Sequence, residues 1–321
     1  MASFSGHMTC ENTGKPLCTI VRVADWTPGK TQTESLLRRL CSQESDRIRK
    51  FRFPIDALRS LVGRLLIRKC IEEGFGICAS IDAQRDVGNF LSRTKSNKPV
   101  LDLRKLDIPL RKRRFNFNVS HHGDWVTSAW HYDHVVGIDV MKYEKPRGCN
   151  SLQEYFDLMK KSFTGYEWKL IRFGTGYKKN LLALSEEKQL VVFYRLWALK
   201  ESFIKAVGIG LGIDLLRLEF FFDDDVEPYQ ARTAYLRLDG RVASQWAFEI
   251  FEPDAQHCIV VGSGPWEECE EEYKSYFGAS AMSTTVAEIS GPMKATWEVV
   301  ELPIRDIVNR YTDNHSTTMS S

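Results

Sequence analysis

Long apolar runs are missing from this 321-residue chain: no stretch reaches the roughly 18 apolar residues that a membrane-crossing helix needs. The eight cysteines, at 10, 18, 41, 70, 78, 149, 258 and 269, form no Cys-x-x-Cys pair, so neither a zinc ribbon nor a disulfide framework is suggested. An excess of either charge is missing too. The 44 Lys and Arg face 42 Asp and Glu, a net +2, so no global basic field selects nucleic acid or an anionic membrane, and any anion site has to be a local cluster. The opening residues lack the basic start and apolar core of a secretory signal, which makes the reducing cytosol the expected compartment. No short-period repeat is present.

What is present is ordinary for a folded protein: 43% hydrophobic and 27% charged residues. The pattern predicts a strand over 18–23 and helices over 42–51 and 56–73, with Arg59, Arg64, Arg68 and Lys69 on the solvent side of the second helix. Residues 84–114 read as an irregular, charged surface loop with at best short structure, ending in the basic run 111–114. Strands follow at 115–119, 125–130 and 134–140, then a helix near 152–163 and a long helix from an N-cap at Ser185 through Val207. Alternating segments at 215–222, 233–238, 245–251 and 257–262 complete the pattern. Helix and antiparallel strands thus occur in both halves, which implies an α+β fold of two similar lobes. The expected division is a flexible 1–16, an N-terminal lobe 17–136, a C-terminal lobe 137–265 and a largely disordered tail 266–321, acidic and then rich in Ser and Thr.

Chemistry concentrates in three places. On the long helix, Trp197, Glu201 and Lys205 fall within an arc of about 80° among large apolar side chains. Taken alone, Glu201 and Lys205 are an ordinary i, i+4 helix pair. Asp139 stands in an apolar strand on the face opposite Val136, Ile138 and Val140, next to a close-approach position at Gly137. Alone it could simply accept backbone hydrogen bonds, but together with Glu201 it would offer the hard oxygens magnesium prefers, with Lys205 facing the same phosphates. The third place is the turn from Asn118 to Gly123, whose hydroxyl, imidazoles and N–H groups suit an anion. A zinc reading that adds His131 and His134 is weak, because no metal-binding spacing occurs. Arg47, Arg93, Lys95 and Lys98 individually read as solvated charges.

In order and spacing these blocks resemble the 4'-phosphopantetheinyl transferases of the surfactin-synthetase-activating type, and particularly their larger animal form. The resemblance rests on Asn118-Val119-Ser120-His121, on Gly137-Ile138-Asp139, and on Trp197-x-x-Lys200-Glu201-Ser202-x-x-Lys205. Asp46-Arg47-Ile48 and the segment from Arg93 to Pro99 add to it, and it extends over about 18–262. It implies two pseudo-twofold α+β lobes with coenzyme A between them and Mg2+ on Asp139 and Glu201. Arg47, the loop Arg93, Thr94, Lys95, Ser96, Asn97 and Lys98, and also Asn118, Val119, Ser120, His121, Ser202, Phe203, Ile204 and Lys205, would border the coenzyme. Glu201, Lys205 and His121 would be catalytic: Glu201 takes the proton of a carrier-protein serine, and Lys205 steadies the departing adenosine 3',5'-bisphosphate. The implied partners are apo carrier domains of the fatty-acid synthase and aminoadipate-semialdehyde dehydrogenase types, met by a monomer that binds neither nucleic acid nor membrane. The competing reading is a noncatalytic module that binds coenzyme A or a carrier protein. Two departures stand out. Met141 replaces a third acid, and Asn97 replaces a glycine at a position expected to be left-handed.

Overall fold

The computed structural model describes residues 17–75, 88, 90–105, 114–132, 134–146, 148–179, 182–277 and 297–312. Two main sheets are described, and residues of both meet in shared buried apolar clusters. The first has the order β12-β1-β5-β4, in which β1 (Leu17–Arg22), β5 (Trp125–His131) and β4 (Asn116–His122) are antiparallel and β12 (Glu298–Glu301) runs parallel to β1. The second has the order β6-β11-β10-β8-β7 and is antiparallel: β6 (Val135–Lys142), β11 (His257–Gly264), β10 (Ala247–Asp254), β8 (Thr233–Leu238) and β7 (Leu218–Phe221), with β9 (Arg241–Val242) on β8. A separate hairpin joins β2 (Leu91–Arg93) to β3 (Pro99–Leu101).

Eight α-helices are described: α1 (Lys30–Leu37), α2 (Ser42–Arg49), α3 (Pro54–Phe75), α4 (Leu152–Leu158), α5 (Gly165–Phe173), α6 (Glu186–Val207), α7 (Glu271–Ser275) and α8 (Ile304–Thr312). Helix α3 lies on β4 and β5, and α6 lies on β6 and β11. The α6 contact is close. A Cβ on Gly137 would sit 1.9 Å from the carbonyl oxygen of Ser202, so only glycine lets the helix backbone rest on the strand. Lys200 makes the same helix costly to move: it is buried in an ion pair with Glu167 at 2.8 Å, and its Nζ also donates to the carbonyls of Leu215 and Leu218. Burial pushes Glu167 up and Lys200 down, so the pair holds its charges only because every partner is in place.

The two sheets meet at their edges. Strand β6 has one row of backbone N–H groups that β11 does not use, and buried donors of this kind must find acceptors. They find them on side chains of β4. The N–H groups of Val136 and Ile138 donate to Asn116 Oδ1 and Asn118 Oδ1, each at 2.9 Å, that of Val140 to Ser120 Oγ at 3.4 Å, and that of Lys142 to His122 Nδ1 at 2.9 Å. Acceptors at every second residue match donors at every second residue, because both strands have period two. Between the sheets lie Ile20, Trp125 and Ala129 against Ile138, Val140, Ile259 and Val261.

Several expectations need correction. Arg68 and Lys69 do not decorate the surface: both are buried, Arg68 on Glu44 at 2.7 Å and Lys69 on Glu73. The sequence pattern does not show helices α1 and α5, while the short structure allowed for in the loop over 84–114 is the β2–β3 hairpin. The segment after 266 is not simply a tail. It supplies α7, then β12 on the first sheet, then α8, which buries Ile307, Val308 and Tyr311 and pairs Arg310 with buried Glu72 at 2.7 Å. Its acidic and Ser/Thr-rich stretches hide a short amphipathic helix. Residues 1–16, the basic run up to 113, and 278–296 and 313–321 of the expected tail lie outside the described residues.

Replacing Asn116 by Ala would leave the Val136 N–H without its acceptor, and His131 O and His134 O without the donor they share. Urea unfolding should show a loss of about 2–3 kcal/mol, the usual cost of stranding buried polar groups.

Candidate active site

Ser120 is the third member of the β4 acceptor row, and its hydroxyl does more than join the sheets. While accepting from Val140, it donates to Asp139 Oδ1 at 2.8 Å and accepts from Lys205 Nζ at 3.0 Å, which uses all three of its bonding positions. Lys205 also donates to Asp139 Oδ1 at 2.5 Å and to Ile138 O at 3.4 Å. A strand of each sheet and helix α6 are therefore joined at one point. Asp139 Oδ2 is buried and has no hydrogen-bond partner. One turn before Lys205, Glu201 is half-buried, and its carboxyl is pushed up by burial and by the charge of Asp139, against the pull of Lys205. Two carboxylates that repel each other in a poorly hydrated place, one with an unused oxygen, suit a hard divalent cation. Met141, partly buried in the core, offers no third oxygen. Among the described residues no three His, Cys, Asp or Glu side chains gather as a metal cluster.

Beside this point opens a cleft of about 260 Å³, lined by Ser96, Asn97, Lys98 and Pro99, by Asn118 and Val119 of β4, by Glu201, Ile204 and Lys205 of α6, and by Gly208 and Gly210. The lining loop is closed by the Thr94 N–H to Lys98 O at 3.0 Å and the Asn97 N–H to Thr94 O at 2.8 Å, and Asn97 is left-handed, as its sequence position predicts, at φ 68°. Arg93 fastens the turn by donating to Asn97 O at 2.8 Å. Its guanidinium is lowered to about 10 by burial and by the nearby charges of Arg64 and Arg47. Three like charges thus converge from α2, α3 and the loop, with Glu44 among them, and such a grouping attracts an anion. His121 keeps an exposed face, yet the surrounding protein and the charges of Lys205 and Arg59 lower its pKa, favouring the neutral ring.

Other expected border residues lie elsewhere. Ser202 is fully buried on the strand side of α6 and donates to Leu199 O, and Phe203 packs on Trp246 with ring centroids 4.6 Å apart. Neither is among the residues that line the cleft. Lys98 lines it, but its ammonium is buried against Lys205 O and Ala206 O and is lowered to about 7, chiefly by burial. The Lys95 N–H is occupied by the Glu272 carboxylate. Trp197, half-buried, packs edge-on to Phe163. Of the histidines weighed for zinc, His131 accepts from the His134 N–H at 3.1 Å and is held near 3 by burial. Arg64 was missed. Its partner Glu44 lies in another helix, so no local spacing marks Arg64 as part of an anion site.

Two family models match the chain: "4'-phosphopantetheinyl transferase, N-terminal" over residues 24–132 and "4'-phosphopantetheinyl transferase superfamily" over residues 135–261. The chain belongs to the 4'-phosphopantetheinyl transferase superfamily. Among individual relatives, it is 39% identical to a phosphopantetheinyl transferase of Thraustochytrium over 75% of its own length and 76% of the relative's. It is 38% identical to the mouse (Mus musculus) L-aminoadipate-semialdehyde dehydrogenase-phosphopantetheinyl transferase over 80% and 78% of the respective chains. A 4'-phosphopantetheinyl transferase of Bacillus pumilus is 34% identical over 52% of this chain and 57% of its own.

The electrostatics of the carboxylate pair can be checked directly. In Asp139→Asn the like charge that raises Glu201 is gone while Lys205 remains, so an NMR titration of the Glu201 carboxyl should move to lower pH than in the unmodified protein.

Proposed function

We propose that the cleft binds coenzyme A and that the chain transfers its 4'-phosphopantetheine arm to the serine of an apo carrier-protein domain. The observation that carries this reading is the meeting of Lys205, Ser120 and Asp139 at one end of the cleft, with Glu201 one turn away. Arg47, Arg64 and Arg93 supply positive charge for the coenzyme's phosphates from the loop side. Glu201, whose carboxyl is raised by burial and by the charge of Asp139, accepts the proton of the carrier serine. The serine oxygen then forms a bond to the β-phosphorus as the bond to the oxygen bridging the two phosphates breaks, and adenosine 3',5'-bisphosphate leaves with the bonding pair. Lys205 stabilises the charge that appears on that leaving phosphate, and neutral His121 donates a hydrogen bond to the pyrophosphate.

Asp139 and Glu201 would hold Mg2+, which supplies positive charge to the pyrophosphate. The unpartnered Asp139 Oδ2 and the repulsion between the two carboxylates support that assignment, and water would complete a shell that Met141 cannot.

We also read the molecule as two lobes related by a pseudo-twofold axis, supported by the 22-residue helices α3 and α6, each laid on an antiparallel strand pair. The lobes would divide at 136–137 and extend to 265, and the protein would work as a cytosolic monomer. No described helix is long and apolar enough to cross a membrane. The carrier domains would be of the aminoadipate-semialdehyde dehydrogenase and fatty-acid synthase types. The first of these appears in the name of the mouse relative.

The test is incubation with coenzyme A, Mg2+ and apo carrier protein, with the carrier weighed by mass spectrometry. The unmodified protein should add one phosphopantetheine per carrier, and Glu201→Gln should reduce the rate by about 100-fold or more, the loss typical of a general base. Full activity in Glu201→Gln would remove Glu201 from the chemistry.

A further inference from the structure

An α-helix ends with backbone carbonyls that have no partner within the helix, and the last turn of α6 carries Lys205. Where these carbonyls find donors can be followed one by one. Ile204 O accepts from the Gly208 N–H at 3.0 Å, where a left-handed glycine at φ 79° stops the helix. Val207 O accepts from the Glu270 N–H at 3.1 Å. Gly208 O accepts from Ser96 Oγ at 2.6 Å. The remaining two, Lys205 O and Ala206 O, accept from the ammonium of Lys98, which is buried and stands 4.3 Å from the centroid of the Tyr273 ring.

We propose that Lys98 is a positioning residue for the transfer: it holds the last turn of α6, and with it Lys205 and Glu201, against the loop that lines the cleft. The helix dipole and the aromatic face favour the charged form against the opposing effect of burial, and the amine N–H groups donate to the two carbonyls in either form. Those contacts occupy the ammonium, so Lys98 contributes to coenzyme binding through the shape of its loop and not through its charge. The loop and the helix then form one unit. A change at the Lys98 end of the loop is therefore passed to the end of the helix that places Lys205 on Asp139. Glu270 and Tyr273 extend this clasp beyond residue 261, where the family match ends.

The inference rests on Lys205 and Glu201 being the reacting pair, and the experiment separates the two claims. In Lys98→Met the hydrocarbon stem is kept and the ammonium is removed. Hydrogen exchange of the 200–210 segment should become faster, kcat should fall by about tenfold or more, and the dissociation constant of coenzyme A, measured calorimetrically without carrier, should change by less than about threefold. A roughly tenfold weaker coenzyme affinity with unchanged kcat and unchanged exchange would make Lys98 a phosphate contact and overturn the proposal. Tyr273→Leu provides the second variant if Lys98→Met does not fold. It should move exchange and kcat in the same direction, and no change in either would also overturn the proposal. Exchange and coenzyme affinity are read without transfer, so they decide the role of Lys98 even if no carrier is modified.

Discussion

The row of acceptors along β4 is the constraint on which the rest of the structure depends. Asn116, Asn118, Ser120 and His122 meet the edge N–H groups of β6, and this joins two sheets that share no backbone ladder among the described residues. A ladder would have used the backbone of both edges and left no side chain at the junction. With side chains as the link, one of them, the Ser120 hydroxyl, can also contact a carboxylate and an ammonium. The same hydrogen bonds that join the sheets therefore also set the distance between Asp139 and Lys205.

Charge in this protein is arranged by burial. The Glu167–Lys200 pair and the Lys98 ammonium are each enclosed and hydrogen-bonded, so they lock helices in place. Asp139 and Glu201 differ: one carboxylate oxygen has no hydrogen-bond partner, and the two acids oppose each other. Buried polar groups left unsatisfied are costly, and the cost is tolerated where a ligand removes it. That contrast separates Lys200, whose partners hold the helix, from Lys205, which stands beside the carboxylate with the unused oxygen, although they are five residues apart on one helix.

Much of this was legible from the sequence where the signals are local. Ser185 and Gly208 bound α6 because a side-chain cap and a left-handed glycine act within one turn, and Asn97 is left-handed because few other residues tolerate that conformation. Asp139, Glu201 and Lys205 could be brought together only through the order of the motif blocks. Nothing local showed that Asn116 and Asn118 would pair with a strand 20 residues away, or that Arg64 and Arg68 would turn to Glu44. Taken by itself in the sequence, Lys98 reads as a surface charge, because its buried partners are carbonyls more than 100 residues distant. The last strand and helix were hidden by the composition of the residues around them.

The most direct test of the link between junction and chemistry is a double-mutant cycle of Ser120→Ala with Lys205→Met, read as kcat for phosphopantetheine transfer to an apo carrier protein. If Ser120 acts by holding Lys205 on Asp139, its replacement should cost about tenfold or more in the unmodified protein and almost nothing once Lys205 is gone. Equal costs in both backgrounds would contradict the coupling and leave Ser120 as a structural link only.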